Sequence, residues 1–67
     1  MTGRALTPRM IEVISWLSYG KTSDEAAELM NISKWTAKVY IRDAKEIVGA
    51  STASALVAKA IRGGWIE

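Results

Sequence analysis

The sequence predicts an all-α fold: a compact four-helix domain whose second and third helices form a central helix-turn-helix. Three observations carry this expectation. Apolar residues recur at i, i+3, i+4 and i+7, and no segment alternates as a strand would. Each periodic segment is opened by Ser or Thr and closed by Gly or Asn, the residues that cap helices. The chain has 67 residues, enough for one domain that only marginally buries a core. With no Cys and no His, disulfides and ordinary zinc sites are excluded, which leaves tight helix packing, oligomerisation, or both.

Residues 1–5 read as a flexible N-terminal tail, and residues 6–67 as the domain. In the first helix Thr7 is the expected N-cap, and Pro8 suits the first helical position, where a missing N–H costs nothing. Leu6 and Ile11 have the spacing of a hydrophobic staple. Met10, Val13, Ile14 and Leu17 form the apolar stripe, and Gly20 ends the helix in left-handed backbone. The second helix opens with a capping box, Thr22 and Glu25, with Asp24 adding negative charge to its first turn. Ala26, Ala27, Leu29 and Met30 supply its apolar face, and Asn31 its left-handed end. Ser33 caps the third helix, from about Lys34 to Val48, after a turn so short that the two helices must cross steeply. Ala37, Ile41, Ala44 and Val48 point inward, flanked by Tyr40 and Ile47, and Gly49 stops the helix. Ser51 is the expected cap of the fourth helix, whose apolar side is Ala53, Leu56, Val57, Ala60 and Ile61. Gly63 and Gly64 end it, and Trp65 and Ile66 are expected to fold back over the base of the core.

The net charge is only +2, so its distribution matters more than its sum. No apolar run is long enough to span a bilayer, and no signal-peptide pattern opens the chain. A cytoplasmic protein without a membrane partner is expected. The acids Asp24, Glu25 and Glu28 fall on the second helix, whereas Lys34, Lys38, Arg42 and Lys45 run at helical spacing along the third. The third helix thus has a dry side and a cationic side, which is what an element inserted into the major groove of DNA requires.

Each outward residue has an expected task. Lys38 and Arg42, one turn apart, reach base edges, with guanine O6 and N7 as favoured acceptors, and Val39 meets a thymine methyl. Ser33, Lys34, Thr36 and Lys45 face phosphates, assisted by the partial positive charge of the helix N-terminus. Trp35 packs on sugar-phosphate. A blander reading stands beside this: a cationic helix face is often plain solvated surface. Trp35 has the alternative of capping the core from outside, and Trp16 and Tyr19 are expected to be structural. An enzyme is not expected: there is no His, no Cys and no Gly-rich phosphate loop, and capping explains the exposed carboxylates. Accordingly no catalytic residue, metal or cofactor is assigned.

The pieces "LTPR", "W-L-x-x-G", "T-S-D-E-A-A", "N-I-S-K-W-T-A-K-V-Y-I-R" and "V-G-A-S", in this order, resemble the LuxR/FixJ-type (GerE-like) helix-turn-helix domain from about Leu6 to Ile66. The resemblance implies a bacterial or phage transcription regulator that binds an inverted-repeat operator in double-stranded DNA as a homodimer. It implies base contacts by Lys38, Val39 and Arg42, a backbone contact by Thr36, and phosphate contacts by Thr22 and Ser23. It also implies a dimer contact through the outer side of the fourth helix, at Ser54, Ala55, Ala58 and Arg62. Most relatives attach a sensory domain, for which a chain of this length has no room, so a stand-alone regulator is expected if the chain is complete, and a regulator whose sensor has been cut away if it is a fragment. Another regulator of this type, or RNA polymerase, is the further protein partner the resemblance admits. The chain departs from the family pattern at Met10, Asp24, Asn31 and Tyr40, and Asp43 and Glu46 dilute the charge of the third helix. Those acids favour a second reading, a small interaction protein or antiactivator that heterodimerises with full-length relatives through its fourth helix.

Overall fold

Four hydroxyl caps set where the helices begin. In the computed structural model, which describes residues 5–67, α1 spans Pro8–Ser18, α2 Ser23–Met30, α3 Lys34–Val48 and α4 Ala53–Arg62. The tail expected over residues 1–5 lies outside the described residues except for Ala5, which is exposed. Thr7, Thr22, Ser33 and Thr52 sit in extended backbone. Their side-chain oxygens accept the N–H of Met10, Glu25, Thr36 and Ala55 at 3.2, 3.1, 3.0 and 3.0 Å. Such a cap stabilises a helix by about 1 kcal/mol. The cap of α4 is therefore Thr52, not Ser51: both types accept equally well, and neither has an acid three residues on to mark it in the sequence. At Thr22 the box is complete, because the Thr22 N–H also donates to Glu25 Oε1 at 2.8 Å. At Thr7 only half of it forms, since the third helical residue is Met10, which is buried instead. Asn31 and Gly49 close α2 and α3 in left-handed backbone, at φ 58° and 74°.

Two apolar clusters make the core. Leu6, Met10, Ile14, Ala44, Leu56 and Ala60 form one; Val13, Ala26 and Met30 form the other. Tyr40 and Ile41 of α3 pack against both and so join them. Leu6 and Ile11, the expected staple, belong to the first cluster. Helices α1 and α3 each touch the other three helices, whereas α2 and α4 touch only these two. Arg9 ties the start of α1 to the end of α2: one guanidinium nitrogen donates to the Met30 carbonyl at 3.4 Å and the other pairs with Glu12 at 2.9 Å. Among the described residues no polar side chain is buried.

Several expected core residues lie outside it. Leu29 is 52% exposed, because it sits about 100° round α2 from the buried Met30. Ile61 is 47% exposed for the same reason, one residue beyond the buried Ala60, and Ala53 is exposed at the open start of α4. Ile66 does pack on the first cluster, but Trp65 remains 39% exposed, its ring lying against Gly63 instead of over the core. Trp16 packs on the second cluster as expected; Tyr19 is largely exposed and meets it only edge to face, with ring centroids 6.1 Å apart.

Leu56 is fully buried where α1, α3 and α4 meet, so Leu56→Ala is expected to remove roughly 2–5 kcal/mol. A urea titration should then show a lower midpoint with an unchanged slope. The capping box sets an acid limit. Accepting the Thr22 backbone N–H lowers the Glu25 pKa below its ordinary 4.5, with help from the Thr22 side chain and Lys21 against a desolvation that raises it. A carboxylate with a depressed folded pKa adds stability above its unfolded pKa and loses it as pH falls through the folded value. Glu25→Gln keeps an acceptor for Thr22 but has no charge to titrate. Its stability is expected to fall less than that of the wild type as pH drops below 4.5, read by thermal melts across that range.

Candidate nucleic-acid interface

The side of α3 that faces away from Ala37 and Ala44 carries the residues singled out in the sequence. Lys34, Trp35, Lys38 and Arg42 are exposed, and Val39, Thr36 and Lys45 are half-buried along its edges. Trp35 is 73% exposed, so it does not cap the core. At the start of the helix Ser33 Oγ accepts the Thr36 N–H and donates to Thr36 Oγ1 at 2.8 Å.

The outward side is itself divided. Lys38 and Lys45 stand about 40° and 60° to one side of Arg42, while Glu46 and Asp43 stand about 40° and 100° to the other. The cationic flank borders a cleft of about 420 Å³ between α3, the start of α2 and the start of α4. Leu17 and Ile41 contribute apolar lining to it; Lys38, Arg42 and Lys45 line it from α3, Thr22 and Ser23 from α2, and Ala53 from α4. The structure thus brings two of the expected base-contact residues beside three of the expected backbone-contact residues. Ser33, Lys34, Trp35 and Thr36 lie outside the cleft, at the N-terminal end of α3.

Two ion pairs temper this charge. Asp24 of α2 lies 3.8 Å from Lys34 Nζ. This acid, one of the departures from the family pattern, faces a cation across the helix-turn-helix. Asp43 Oδ1 takes both Nε and Nη2 of Arg42 at 3.2 Å. The sequence offered no sign of either pair, since one spans two helices and neighbours on one helix do not normally face each other. Both are exposed, and surface pairs of this kind contribute about 0–1 kcal/mol.

On α4, Ser54, Ala58 and Arg62 are exposed and Ala55 is half-buried. Ile61 joins the same strip, three residues after Ala58 and seven after Ser54, a spacing that was available in the sequence but was assigned to the core. Among the described residues no group of three or more Asp, Glu, His or Cys side chains is placed to hold a metal ion, and no helix is long and apolar enough to cross a membrane.

Comparison with known proteins agrees with this architecture. The family model for bacterial regulatory proteins of the luxR family matches residues 4–60. The quorum sensing-dependent transcriptional regulator VjbR of Brucella ovis is 37% identical over 62 residues, covering 92% of this chain and 24% of that protein. The transcriptional activator protein BjaR1 of Bradyrhizobium diazoefficiens is 44% identical over 57 residues, covering 85% of this chain and 24% of its own. The chain therefore spans about a quarter of the length of these curated relatives. The solved structure of the transcription factor GerE superposes with a TM-score of 0.88 at 23% identity, covering 96% of this chain and 97% of that one, a likeness of fold. The capped helices, the tight turn before α3 and a family match over most of the sequence lead to one conclusion: the chain belongs to the luxR family of bacterial regulatory proteins.

Proposed function

We propose that this chain is a transcription regulator that binds double-stranded DNA in the cytoplasm, with α3 in the major groove. The observation that carries the reading is the two-sidedness of α3. Ala37 and Ala44 are fully buried on one side, and Lys34, Lys38 and Arg42 are exposed on the other. In this reading Lys38, Val39 and Arg42 meet base edges. Lys45, Thr22 and Ser23 hold one phosphate strand at the cleft, and Ser33, Lys34, Trp35 and Thr36 hold the strand near the start of α3. The cleft is open to a phosphodiester, and the N-terminus of α2 adds its unpaired N–H groups there.

Two copies joined through α4 would read an inverted repeat with half-sites about 10 base pairs apart or less. The exposed strip of Ser54, Ala58, Ile61 and Arg62 supports this pairing: small residues allow close approach, and Ile61 supplies apolar area. The same strip serves the second reading, a heterodimer with a longer relative. The acids Asp24 and Asp43, already paired with the cations of α3, favour that reading.

Arg42→Ala and Lys38→Ala are expected to cost about 1–3 kcal/mol at the preferred site while the fold survives, and to relax base preference. Lys45→Ala is expected to weaken binding to every sequence alike and to lower the salt slope by about one. Fluorescence anisotropy on labelled duplexes across a salt series measures both. Binding that ignores all three substitutions would transfer the weight to the protein-partner reading. Ile61→Asp is expected to convert a sedimenting dimer to monomer; an unchanged sedimentation coefficient removes α4 from the interface.

A further inference from the structure

Arg42 and Asp43 are adjacent, and side chains at i and i+1 on a helix point about 100° apart. The pair nevertheless forms, because the long Arg42 side chain bends round the helix to the shorter carboxylate. The contacts fall on one edge of the guanidinium: Nε donates to Asp43 Oδ1 at 3.2 Å, and Nη2 lies 3.2 Å from the same oxygen. This leaves the terminal edge, with Nη1 and the outer hydrogen of Nη2, unengaged among the described residues. That edge presents two parallel N–H donors in a planar fork, the arrangement that matches guanine O6 and N7. The carboxylate side chain is 29% exposed, against 64% for Arg42.

We propose that Asp43 is a positioning residue for base recognition: it grips the inner edge of Arg42 and so presents the outer edge to a guanine. This inference rests on the reading that α3 enters the major groove. An unheld arginine samples many rotamers, and its guanidinium finds phosphates as readily as bases. Held by Asp43, it gives up part of its attraction for the phosphate backbone and gains direction. The two effects have opposite signs. Asp43 weakens binding to DNA in general and sharpens the choice of one base pair.

The test uses the full 67-residue chain and duplexes enriched from a random-sequence pool on the wild type, each base pair then varied singly. Binding is measured for wild type, Asp43→Asn, Arg42→Ala and the double variant, with circular dichroism confirming that each remains helical. Asp43→Asn is expected to bind non-specific duplex more tightly and to discriminate the guanine less, by about threefold to tenfold. In the Arg42→Ala background, Asp43→Asn is expected to leave discrimination at that base pair unchanged, because the acid acts through the arginine. An equal gain in affinity for every sequence would overturn the proposal and reduce Asp43 to a source of repulsion. A change in discrimination that persists without Arg42 would also overturn it, because the acid would then read a base directly. If Arg42→Ala keeps full guanine preference, or the pool yields no enriched sequence, the underlying reading of α3 fails, a result distinct from either of these.

Discussion

The orientation of α3 depends on the complete burial of Ala37 and Ala44. A methyl at each of these points lets the helix lie close against its neighbours, and Tyr40 and Ile41 between them engage both core clusters. Rotating α3 to hide its cations would expose these contacts and put Lys38 or Arg42 into an apolar interior, which is prohibitive for an unpaired charge. The hydrophobic effect therefore does the aiming. With three other helices packed on its dry side, α3 has only one side to offer, and that side carries the basic residues.

The charge on that side is more measured than its lysines and arginine suggest. Asp24 meets Lys34 across the turn, and Asp43 meets Arg42 on the helix itself. Non-specific affinity for DNA grows with the number of phosphates a protein neutralises, so in the proposed reading these acids would hold it down. The cationic flank at the cleft, with Lys38 and Lys45, keeps its charge beside the start of α2. On the proposed reading the interface is graded: phosphate-seeking charge at the cleft, and an arginine paired with Asp43 on the boundary with the acidic flank.

Much of this was legible in the sequence because it is written in local chemistry. The caps Thr7, Thr22 and Ser33, the closing residues Asn31 and Gly49, and the extent of α3 follow from residue type and spacing alone. What escaped was decided by distance in space or by angles close to a boundary. Ser51 and Thr52 are equivalent acceptors one residue apart, and only the backbone path selects Thr52. Leu29, Ile61 and Trp65 are apolar, so composition assigns them to the core, yet each lies just past its edge. The Lys34–Asp24 pair needs the crossing of α2 and α3, and the Arg42–Asp43 pair needs a bent side chain that helical spacing argues against. Outward placement of Lys38 and Arg42 was readable, because it is the complement of the apolar stripe; their sharing of a cleft with Thr22 and Ser23 was not.

An NMR titration of the labelled chain with a duplex enriched on it examines the aiming of α3 most directly. The account predicts that amide and side-chain signals move at Thr22, Ser23 and from Ser33 to Lys45 on the outward side. Signals of Val13, Ile14 and Leu56 in the core should stay in place. Shifts concentrated on the outer faces of α1 or α4, with the signals of Lys38, Val39 and Arg42 unmoved, would contradict it.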